Sequence, residues 1–219
     1  MESEFLFTYI YLIAILIMFM LIYEGITTSF GYAPRKIKAI TIIAMVLVAF
    51  RFLTLLLLFL YNKMQYVYLL KPLIFLELFY MPIIIFICIY IYSRNDKIKL
   101  SFFYVLCGIF IVTYFFLIIK APLVTNISSI YGYSITLKNG FNSYLVLLCI
   151  NTFVFVLGFR IYGFKYSNKP GVIMVMAAAF ITVISIIISV LHAEFVGVII
   201  LGEICWMMTL DYGLRKFRK

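Results

Sequence analysis

Three ionisable side chains, Arg51, Glu77 and Glu203, lie deep inside apolar runs of this 219-residue sequence, and an amide, Asn151, sits inside a fourth run. A charge at the centre of a hydrocarbon layer costs at least ~2.5–3.5 kcal/mol on insertion scales, so each needs a partner or water. Arg51 and Glu77 stand thirteen residues to either side of a polar turn centred near residue 64. With a rise of ~1.5 Å per residue they reach matching depth in an antiparallel helical hairpin. The spacing predicts an ion pair. Glu203 and Asn151 each lie about eight residues from the outer end of their own runs. That is roughly 12 Å by the same rise, close to the Arg51–Glu77 layer.

One Arg facing two Glu leaves a net negative charge unless one carboxyl carries a proton. The expectation is therefore a small-ligand or proton site built from Arg51, Glu77, Asn151 and Glu203. The opposing reading is structural glue, since polar contacts between membrane helices average ~0.6 kcal/mol. Three ionisable groups at one depth exceed what a single packing pair requires, and that tilts the reading towards a site. Pro82 follows Glu77 by five residues. A proline inside a helix frees the carbonyl four residues back, here Leu78, so Pro82 is the expected kink and hinge.

Signatures of other chemistry are missing. No GxSxG, HExxH, GxxxxGK[ST] or paired aspartates occur, so no catalytic motif points to an enzyme. Cys88, Cys107, Cys149 and Cys205 all fall in apolar runs without CxxC or Cys/His spacing, and read as packing residues. The lone His192 has no neighbour of its own type with which to hold a metal, and with Glu194 it reads as a wet helix end. No cofactor and no metal are expected.

The elements that must carry these residues are written in the composition. Apolar residues make up 67% and charged residues 12%, with a mean hydropathy of +1.19. A soluble domain runs nearer half apolar and a quarter charged, so lipid must be part of the solvent. Apolar runs near residues 5–23, 39–61, 67–92, 100–119, 143–162, 172–191 and 195–210 match the ~20 residues that cross a bilayer. Such runs must satisfy their own backbone, which favours helices. The expected fold is all-α: a polytopic membrane bundle of about seven helices, residues 1–219 forming one transmembrane domain.

Orientation follows from the basic residues. Thirteen Lys/Arg lie in the loops after the first, third, fifth and seventh helices, against Lys63, Lys71, Lys120 and Lys138 on the other side. The positive-inside rule then places the N-terminus outside and the C-terminus in the cytoplasm of a multi-pass cell-membrane protein. The net charge of +10 is split into short clusters between apolar runs. Anionic lipid headgroups are the expected partner, and nucleic acid is not.

Seven helices in this orientation, the proline in the third, and the segment SIYGYSITLKNGFNSYLVLL entering the fifth are similar to the seven-helix membrane-sensor region at the N-terminus of some bacterial histidine kinases. The sequence departs from them after Arg215, with no dimerisation helix, phosphoacceptor His or ATP-binding domain. The resemblance implies a stand-alone sensor module that signals through a separate cytoplasmic or membrane partner. The seventh run lacks the lysine a retinal protein needs, and no Pro-Gln of the PQ-loop families occurs. The expected function is a receptor-like module binding a small ligand or proton in its outer half. The alternatives are a transporter or permease subunit, or a non-catalytic accessory protein.

Overall fold

The computed structural model describes residues 2–60, 64–93, 101–120, 123–128, 132–137, 140–191 and 197–217. Among them run eight helices: α1 (Glu2–Tyr32), α2 (Arg35–Leu60), α3 (Met64–Ile74), α4 (Glu77–Ser93), α5 (Ser101–Lys120), α6 (Gly140–Tyr162), α7 (Lys169–Leu191) and α8 (Ile199–Arg215). α3 and α4 are two halves of one apolar segment, so the helices occupy the seven apolar runs of the sequence. Five stretches are long and apolar enough to cross a membrane: Leu6–Tyr32, Arg35–Leu60, Leu69–Ser93, Tyr144–Tyr162 and Lys169–Leu191. A shorter apolar stretch covers Val105–Phe116. The chain is an all-α integral membrane bundle.

The burial pattern shows what the solvent is. α4 is apolar almost throughout and enclosed, with α2, α5, α6, α7 and α8 all touching it. An all-round apolar helix belongs in such a place. α1 and α6 are also strongly apolar, yet much of their surface is bare, with Met20 74% exposed and Phe153 60%. Patches of that extent on a water-soluble monomer would drive association; here they face hydrocarbon. Around α4 the outer helices form a continuous wall, α6 on α7, α7 on α8, α8 on α1 and α1 on α2. Gly202 lets α8 approach α7: a Cβ there would stand 3.0 Å from the Thr182 Cα. Small residues play this role where helices meet in lipid.

Two segments differ from the sequence expectation. α1 continues past Tyr23 through the Gly/Thr/Ser stretch to Tyr32, and α2 begins at Arg35 instead of Ala39. The turn between them at Ala33–Pro34 is held by the Lys38 ammonium, which donates to the Phe30 carbonyl at 2.6 Å. That satisfies one of the carbonyls a helix end leaves open. The long loop expected over residues 120–142 contains an antiparallel hairpin, β1 (Leu123–Ser128) with β2 (Gly132–Leu137), in register from Leu123↔Leu137 to Ser128↔Gly132. Val124, Thr125, Ile127, Ile135 and Thr136 supply the β-branched residues that favour strands. The turn at Asn62 and Lys63, together with His192 and Glu194, lies outside the described residues.

Candidate functional site

The apolar segment 64–93 does not run as one helix. Between Ile74 and Glu77 the ladder tightens, with the Leu76 amide bonding the Leu73 carbonyl at 3.4 Å and the Leu78 amide bonding the Phe75 carbonyl at 3.1 Å. In an unbroken helix those amides would reach the carbonyls of Pro72 and Ile74. Both released carbonyls are taken by side chains from other helices. Tyr114 of α5 donates its hydroxyl to the Pro72 carbonyl. Arg51 of α2 donates its Nε–H to the Ile74 carbonyl at 2.9 Å. Pro82, the expected hinge, lies beyond this break, buried inside α4.

Arg51 is the centre of what the break exposes. Its Nη2 pairs with the Glu77 carboxylate, on the first residue of α4. Its Nη1 pairs with the Glu203 carboxylate of α8 and also donates to the Tyr80 hydroxyl at 3.0 Å. Tyr80 in turn donates its own hydroxyl to Glu203. Tyr144, near the start of α6, donates to the other oxygen of Glu77. Arg51, Glu77 and Glu203 are 5%, 2% and 1% exposed, and the Tyr80 ring is fully enclosed. The guanidinium also lies 5.6 Å from the centre of the Phe52 ring, a cation–π contact on an otherwise apolar wall.

The ion pair expected from matched depth is present, and Glu203 joins it. Asn151 does not. Its amide donates to the Leu147 carbonyl at 2.8 Å, and its oxygen accepts from the Trp206 indole N–H at 3.1 Å. Asn151 thus binds α6 to α8 through Trp206, which is three residues along from Glu203, but makes no hydrogen bond to Arg51, Glu77 or Glu203. Tyr80 and Tyr144 are the residues that charge and depth alone overlook. Tyr80 was within reach of the pattern, because a residue three positions after Glu77 shares its helix face. Tyr144 reads in sequence as one more interfacial aromatic.

The arrangement can bind charge of one sign. Every nitrogen of Arg51 already faces an acceptor, and the two carboxylates that flank the guanidinium repel an anion. With both carboxylates ionised, the cluster carries one negative charge beyond what Arg51 balances. A buried unbalanced charge is costly, so a proton or a small cation is the species this site would take. Among the described residues no group of three or more His, Cys, Asp or Glu side chains is placed to hold a metal ion. No protein-family model matches the chain, and a comparison with curated proteins returns no match.

Proposed function

We propose that this membrane protein is a receptor-like module whose Arg51–Glu77–Glu203 cluster responds to a proton or small cation in the outer half of the bundle. The observation that carries the reading is one guanidinium bridging two buried carboxylates on different helices, with one negative charge left over. Adding a positive charge to either carboxylate weakens its hold on Arg51. That loosens α2 from α4 or α8, so the occupancy of the site is converted into helix packing. The change would pass to a cytoplasmic or membrane partner, with the basic loops resting on anionic headgroups.

The test is a pair of measurements on the protein in liposomes. Spin-label distances between α2 and α8 should change with external pH in the wild type and stay fixed in Glu77→Gln, with no flux of protons in either. A distance that ignores pH and monovalent cations in the wild type removes the sensor reading and leaves a packing device.

A second reading, a permease subunit, has one observation in its favour. Interrupted helices with freed carbonyls and helix N-termini at a buried charge are the usual build of a transporter site. The break at Phe75–Leu76, with Ile74 and Glu77 on its two edges, has that form. Proton- or substrate-coupled uptake that disappears in Glu77→Gln would decide for transport.

A further inference from the structure

A third buried acid lies away from the Arg51 cluster, towards the basic end of the bundle. Asp211 of α8 is 3% exposed, and neither of its carboxylate oxygens has a hydrogen-bond partner. Eight residues separate it from Glu203 on the same helix, roughly 12 Å along the axis. α1 opens a place for it with Gly25: a Cβ there would come within 2.6 Å of Asp211 Oδ1 and would also strike Met45 of α2. Any other residue at position 25 would need the carboxyl to move.

Ser29 is one helical turn beyond Gly25 on α1, and its hydroxyl is buried and unpartnered as well. That is unusual for this chain. Buried Thr41, Thr54, Thr182, Ser185 and Thr209 each donate back to the carbonyl four residues earlier. Ser29 has the same option and does not use it.

Glu24 and Arg215 lie close enough to act on the charge of Asp211, but no described charged group forms an ion pair or hydrogen bond with it. From α8 itself, Arg215 is paired with Glu24 of α1. From α4, Cys88 and Tyr92 are close enough to feel its charge, but the Tyr92 hydroxyl is given to the Thr209 carbonyl. α2 contributes the thioether of Met45 at the Gly25 position. The only ionisable residue on α7 is Lys169 at its first position, which lies over the Tyr162 ring. No described cation forms an ion pair with Asp211.

We propose that Asp211 is a proton-binding site reached from the basic end of the bundle. A bare carboxylate in this setting has neither a counter-ion nor a donor, whereas the acid form is neutral and its new O–H bond needs only one acceptor. The proton comes from water at the Glu24–Arg215 surface, where both side chains are substantially exposed, and returns there on release. An inorganic cation fits less well, because the two Asp211 oxygens alone are a thin oxygen shell.

The chain contains two aspartates, Asp96 and Asp211, so carboxyl-13C aspartate labelling gives two signals in the wild type. Asp96→Asn leaves one. In liposomes with the two aqueous sides buffered separately, the Asp211 signal should be that of a carboxylic acid at mildly acid pH. It should titrate with the buffer on the C-terminal side and ignore exchange of sodium for choline. Asp211→Asn should lose the signal and keep the fold, as a neutral mimic. Since the wild type is itself the labelled sample, a variant that misfolds does not block the measurement. A carboxylate signal from mildly acid to mildly alkaline pH overturns the proposal. So does a titration that follows the opposite side, or one that moves with sodium.

Discussion

Each edge of the Arg51 guanidinium meets a different acceptor: the Ile74 carbonyl, the Tyr80 hydroxyl and the carboxylates of Glu77 and Glu203. Removing the cation alone strands two acids. Arg51→Leu should therefore cost about 3–5 kcal/mol, as breaking buried pairs from one side does. Removing all three charges, in Arg51→Leu/Glu77→Leu/Glu203→Leu, should return stability close to wild type, because apolar replacements of a buried ion network are often neutral. The double change Arg51→Leu/Glu77→Leu should fall between them, since Glu203 is then the acid left over. Tyr80→Phe removes a donor to Glu203 and should cost ~1.5–3 kcal/mol. Unfolding midpoints in a fixed lipid–detergent mixture rank all four, and a triple variant weaker than Arg51→Leu would refute the ranking. Three of the four residues marked by type and depth meet in the structure. Asn151 shows why the fourth does not: rise per residue fixes depth, but nothing local fixes rotation about the helix axis, and Asn151 is turned to Trp206.

The break between α3 and α4 belongs to the element scale, and its location has a cause beyond its own sequence. Pro82 is the strongest local breaker in α4, yet the helix passes it intact. The ladder opens where Arg51 and Tyr114 arrive from α2 and α5 to take the Ile74 and Pro72 carbonyls. Long-range donors of that kind cannot be read from periodicity, whereas the apolar runs themselves could. Arg51→Lys keeps the charge but loses the fixed fork that reaches carbonyl and carboxylates together. The amides of Leu78, Phe79 and Tyr80 should then exchange on the order of tenfold faster, matching the loss of about 1.5 kcal/mol for a hydrogen bond from a charged donor. Hydrogen exchange resolved to this segment checks it. Unchanged protection would mean that the break is set by the backbone of residues 72–77 alone. The hairpin was hidden for a related reason: its β-branched residues are interspersed with Asn, Ser and Gly, which read as loop.

At the scale of the whole molecule, the helical runs were legible because a bilayer imposes length and composition on them without reference to their neighbours. Which helix touches which was not. The first and the last helix pack together, α1 on α8, with Glu24 and Arg215 joined across the contact. The sidedness argued from the thirteen clustered Lys/Arg has a direct check. In a cysteine-free background, Glu2→Cys should react with a membrane-impermeant maleimide added to intact cells, and Lys219→Cys should react only after the membrane is opened. The reverse pattern would invert the orientation. Glu203, on the final helix, also sets a timetable. During synthesis α2 enters the bilayer with Arg51 and meets Glu77 on α4 early, while Glu203 emerges only after α5, α6 and α7 have been made. Until then Tyr80 has no carboxylate to donate to, and the guanidinium has an idle edge. A nascent or cut polypeptide ending at Leu191 should consequently be a poor survivor in pulse-chase, several-fold shorter-lived than the intact chain. Arg51→Leu/Glu77→Leu in that same cut polypeptide should lengthen its lifetime, because no half-filled socket remains for membrane quality control to recognise.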